Sequence, residues 1–83
     1  MNSIKEILKK ENLSFDDLIN CFEMVKESGQ IALIKFDGAR LKDYYTVLIL
    51  NAKNTIRLEG SDLKKGLIEV LIRYADGNWL NFM

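Results

Sequence analysis

The apolar residues of this chain change their spacing twice. Near both ends they recur every three or four residues. Between Gln30 and Glu59 they crowd into short runs rich in β-branched and aromatic side chains. A 3.6-residue period belongs to a helix and a two-residue period to a strand. The chain must therefore set a block of sheet between flanking helices, and that requirement removes all-helical and all-β folds together.

Ile4, Ile7 and Leu8 share a face over 3–10 and predict a short amphipathic helix with Lys5, Glu6, Lys9 and Lys10 outward. A second helix is expected over 14–28. Ser14 is its N-cap, Asp17 stands at the capping-box position, and Asp16 and Asp17 face the positive end of the helix dipole. Leu18, Phe22 and Val25 form its inner face, and Gly29 ends it. Strands are expected over 30–36, 44–50 and 55–59, joined by turn chemistry at Asp37-Gly38-Ala39-Arg40 and Asn51-Ala52-Lys53-Asn54. The last helix is expected over 61–75, with Ser61 as N-cap. Leu63, Leu67, Val70, Leu71 and Tyr74 face its core side, and the mid-helix Gly66 suggests close backbone packing. Residues 78–83 form a short apolar tail. The expected class is a small single α+β domain in the order α-α-β-β-β-α. A three-stranded antiparallel meander packs against helices, with the two long helices on one face or one on each.

Composition bounds what such a fold can do. The 83 residues, 48% hydrophobic and 29% charged, suit one globular domain and not a disordered segment. With no His and one Cys, zinc patterns and His-dependent nucleophile systems are unavailable within one chain. Glycines are too dispersed for a phosphate loop, so no cofactor is expected. Twelve basic and twelve acidic residues give zero net charge and no global pull toward nucleic acid. The longest apolar run, Val47-Leu48-Ile49-Leu50, is far too short for a membrane span. A lone Cys and the absence of a signal-like N-terminus point to a cytoplasmic protein.

The strands carry a surplus. Ala32, Ile34 and Phe36 share one face of the first strand; Ile31, Leu33 and Lys35 share the other. Tyr45, Val47 and Ile49 oppose Tyr44, Thr46, Leu48 and Leu50 on the second. A sheet with one wet face should alternate more cleanly. The second face is expected to be covered by the N-terminal helix, by the tail from Trp79 to Met83, or by a partner.

Cys21 lies toward the core face of its helix and reads as a small buried hydrophobe. The acid pairs Asp16/Asp17 and Asp37/Asp43 read as cap and turn residues. Arg40 and Lys42, next to Tyr44 and Tyr45, form a basic-aromatic cluster that reads first as a solvated hairpin tip, then as a protein-interface anchor, and last as a nucleic-acid contact. The tail from Trp79 to Met83 could form an added edge strand, a core lid or a docking peptide; Trp79, Phe82 and Met83 are costly to leave exposed, which favours a core lid or self-association.

Three strands followed by a helix with Lys64 and Lys65 in its first turn resemble the double-stranded-RNA-binding domain, which also begins with a helix. The resemblance covers 14–74 in topology alone. It implies that Lys64 and Lys65 contact phosphates across the major groove; Asp62 beside the lysines opposes that role, and the loop between the first two strands is acidic as well as basic (Asp37, Arg40, Lys42, Asp43).

The functional expectation is a non-enzymatic protein-interaction module. It binds another protein or a second copy of itself through Arg40, Tyr44, Tyr45, Leu33, Leu48, Trp79 and Phe82. A small inhibitor or immunity-type protein acting by steric occlusion fits this description. The alternatives are an RNA-binding module using Arg40, Lys42, Lys64 and Lys65, and a small-ligand or enzyme accessory protein.

Overall fold

A computed structural model of the protein describes residues 2–77 and 80–81. Its elements are α1 (Asn2–Leu8), α2 (Phe15–Glu27), β1 (Ile31–Phe36), β2 (Tyr45–Leu50), β3 (Asn54–Gly60), α3 (Leu63–Ala75) and β4 (Leu80–Asn81). The strands form one antiparallel sheet in the order β1-β2-β3-β4. The expected α-α-β-β-β-α order is present, and part of the expected tail adds a two-residue strand beside β3.

Local chemistry sets the helix ends. Ser14 caps α2 through a complete capping box: its hydroxyl accepts from Asp17 N–H at 3.0 Å, and the Asp17 carboxylate accepts from Ser14 N–H at 3.0 Å. Gly29, at φ +88°, takes the left-handed position after the helix. The cap of α3 is Asp62, not Ser61, because the Asp62 carboxylate accepts from Lys65 N–H at 3.1 Å. The Ser61 hydroxyl is occupied elsewhere: it accepts from Asp43 N–H at 2.9 Å.

All three helices lie on one side of the sheet. Val47, Ile49 and Ile56 are fully buried there, together with Leu18, Cys21 and Val25 of α2 and Leu67, Val70 and Leu71 of α3. Ala32, Ile34 and Leu58 complete the layer. Ile4 of α1 joins the same core through α2 and α3, the elements against which α1 packs. At Gly66 a Cβ would lie 3.6 Å from Val47 Cγ2, an ordinary van der Waals distance. The helix thus rests close on β2, with room for one more methyl group.

Candidate interaction surface

The register between strands fixes what the opposite face carries. Three rows cross it: Ile31, Leu50 and Thr55; Leu33, Leu48 and Arg57; and Lys35, Thr46 and Glu59. The first two rows contribute four apolar side chains from β1 and β2. Ile31 and Leu33 are 55% and 54% exposed, and Leu48 and Leu50 are half-buried. Charged and polar residues border them on β3 and along the third row. An apolar centre with a polar rim is the usual anatomy of a protein interface.

Neither α1 nor the described part of the tail covers this face. α1 packs against α2 and α3 on the far side, and β4 extends the sheet edge instead of crossing the face. Among the described residues nothing lies over Ile31, Leu33, Leu48 and Leu50. Trp79 and Phe82, the aromatic candidates of the tail, lie outside the described residues.

The remaining candidates divide between places. Leu33 and Leu48 are direct partners on the open face. Tyr45 pairs with Phe36 on the helix side, where the rings meet edge-on with centroids 5.2 Å apart. Tyr44 meets Tyr45 edge-on at 5.5 Å. Phe36 is 66% exposed and extends past the helices. Strand alternation places Phe36 on one face with Ala32 and Ile34, the face that the helices cover, but carries no sign of where the helices stop.

Arg40 is held by its own loop. Its guanidinium donates to the Asp43 carbonyl at 3.0 Å and pairs with Glu59 at 3.3 Å and Asp37 at 3.7 Å. Glu59 also pairs with Arg57. These contacts hold the Glu59 carboxyl below its ordinary range, the hydrogen bond from Arg57 first and that from Arg40 second. The Asp37 carboxyl is lowered chiefly by the Ala39 N–H that it accepts at 3.0 Å. Asp17 is lowered by its cap bond to Ser14 and then by Lys10. Each of these acids is thus stabilised as a carboxylate. A general acid needs the opposite shift.

Lys64 stands over the Phe15 ring, its Nζ 5.9 Å from the centroid, and Lys42 and Lys65 are exposed. A groove of about 360 Å³ between β3 and α3 is lined by Glu59, Asp62 and Glu69 against one lysine, Lys65. The basic candidates therefore do not merge into a single positive surface. Cys21 is fully buried, and burial pushes its thiol pKa up, with Asp17 adding to the shift. Among the described residues no group of three or more acids, Cys or His could hold a metal ion, and no helix is long and apolar enough to cross a membrane.

No family model, curated protein or solved structure matches the chain.

Proposed function

We propose that the protein is a non-enzymatic interaction module that docks another protein on the open face of its sheet. The observation that carries this reading is the uncovered apolar set Ile31, Leu33, Leu48 and Leu50 with its polar border. Burying such side chains contributes about 1.5–3 kcal/mol each when complete. A rigid sheet presents them without reorganisation, so a partner site would be blocked by simple occlusion. The lone buried Cys21 suits a reducing cytosol. The RNA reading has less support, because Arg40 is paired with Glu59 and Asp37 and acids line the groove beside Lys65.

The test is a native pull-down with wild type and Leu48→Glu. Leu48 lies opposite Arg57 across the β2–β3 ladder, so the new carboxylate has a cation beside it and the fold should persist. The expected result is a protein retained by the wild type and released by the variant, with identical circular dichroism. Equal retention by both would reject this face as the site.

A further inference from the structure

The sheet has two margins, and they are treated differently. On β3 the pair Arg57–Glu59 stands beside the short β4, and charge at an edge discourages pairing with another chain. Among the described residues β1 has no neighbour on its outer side. The direction of its backbone follows from one bond. Asp37 N–H donates to the Tyr44 carbonyl at 2.7 Å, in the same register as β1–β2. Bonding groups alternate along an antiparallel strand, so Ile31, Leu33 and Lys35 point theirs inward to β2. Ala32, Ile34 and Phe36 point theirs outward, to the bare edge. The outward N–H of Gln30 is already taken by the Val25 carbonyl at 3.3 Å.

Beside the start of this edge, between α2 and β1, runs a groove of about 420 Å³ lined by Ile19, Phe22, Gln30 and Ala32, among others. Ile19 is 45% exposed in it. The buried Gln30 Oε1 accepts no hydrogen bond among the described residues. At the other end of β1, on the same side of the sheet, Phe36 projects uncovered.

We propose that β1 pairs antiparallel with β1 of a second copy, about a two-fold axis at Ile34. The proposal goes beyond the open face to the strand edge that borders it at Ile31 and Leu33, and it shares the reading of the chain as an interaction module. An isologous pairing centred on Ile34 places Ala32 opposite Phe36 of the other copy, and Phe36 opposite Ala32. Every outward N–H and C=O of Ala32, Ile34 and Phe36 then finds a partner. The small residue faces the large one, and each Phe36 ring enters the other copy's groove over Ile19, Phe22 and Ala32. Lys35 faces Leu33, which its methylene stem can cover. Zero net charge means that two copies do not repel one another. A knob and a groove on one strand, related by its own centre, fit a second copy better than an unrelated strand.

Sedimentation equilibrium over a concentration series is the test, joined to amide exchange. The wild type should reach twice the 9.6 kDa of one chain. Phe36→Asp, at an exposed position, should sediment as one chain with an unchanged circular dichroism spectrum. The amides of Ala32, Ile34 and Phe36 should exchange slowly in concentrated wild type and quickly on dilution; this holds the test open even if the variant fails to fold. A monomer at the highest soluble concentration would overturn the proposal. So would a dimer indifferent to Phe36→Asp, fast exchange at those amides in the dimer, or their protection only on adding a different protein. Leu48→Glu should leave the dimer intact, so loss of partner capture and loss of self-pairing are separate results.

Discussion

The backbone N–H of Asp43 donates to the hydroxyl of Ser61 across 18 residues of sequence, at 2.9 Å. This bond ties the β1–β2 loop to the start of α3. Asp43 is the described non-glycine residue with positive φ, at 53°, a conformation that Asp tolerates better than most residues. Ser61→Ala should therefore loosen the loop and leave α3 capped. Amide exchange would show Asp43 accelerated and Lys65 unchanged. Asp62→Ala should do the reverse and cost about 1 kcal/mol in denaturant unfolding, the usual value of a cap.

Gly66 lies within α3, where its Cβ position is 3.6 Å from Val47 Cγ2. Gly66→Ala should raise stability by about 0.5–1 kcal/mol, since Ala is the better helix former by that amount. A larger side chain should reverse the sign. Gly66→Leu would have to displace Val47 and should unfold at lower denaturant than wild type.

Two leucines measure how open the second face is. Leu67 is 1% exposed and Leu33 is 54% exposed. Leu67→Ala should cost about 2–5 kcal/mol, whereas Leu33→Ala in dilute protein should change stability by no more than about 0.5 kcal/mol. A large loss at Leu33 would mean that the face is covered within one chain.

Stability should fall in acid. The folded pKa values of Asp17, Asp37 and Glu59 lie below their ordinary values, each through a bond to the ionised form. Their contribution is complete above the unfolded values near 4 and is lost as pH falls through the lower, folded ones. Lys26, raised by its hydrogen bond to Glu23, acts oppositely: its contribution is complete below the unfolded value and lost only as pH rises through the folded one. Glu59→Gln should flatten part of the acid slope in a urea titration series.

Cys21 should resist alkylation in the folded protein, because it is fully buried and its thiol is held neutral by burial. Its labelling rate should follow the unfolded fraction as urea is raised. Rapid labelling in native buffer would contradict the packing of α2.

The sequence was most readable where a residue's role is settled by its near neighbours. Ser14 and Asp17 announce α2, and the runs at 30–36 and 44–50 announce strands, because caps and alternation act within a few residues. Ser61 misled because two adjacent hydroxyl- and carboxylate-bearing residues both suit an N-cap. The choice of Asp62 depends on Asp43, which is distant in the chain. The surplus of apolar residues on β1 and β2 was visible, and so was the need for something to meet it. The placement of α1 was not, since Ile4, Ile7 and Leu8 would suit either side of the sheet equally well. Phe36 was hidden for a related reason: strand period assigns a face but not the length over which helices cover it.

The Arg57–Glu59 pair has a bearing on solubility as well as on the loop it helps to anchor. A sheet whose two margins were both bare could add copies without limit and grow into a fibre. Here the margin at β3 is charged, so the proposed pairing through β1 uses the bare border seen among the described residues and leaves the charged one outermost. Pairing of that kind would stop at the first addition. Removing that charge, and not only altering β1, is the change that should convert a closed pair into an aggregating chain.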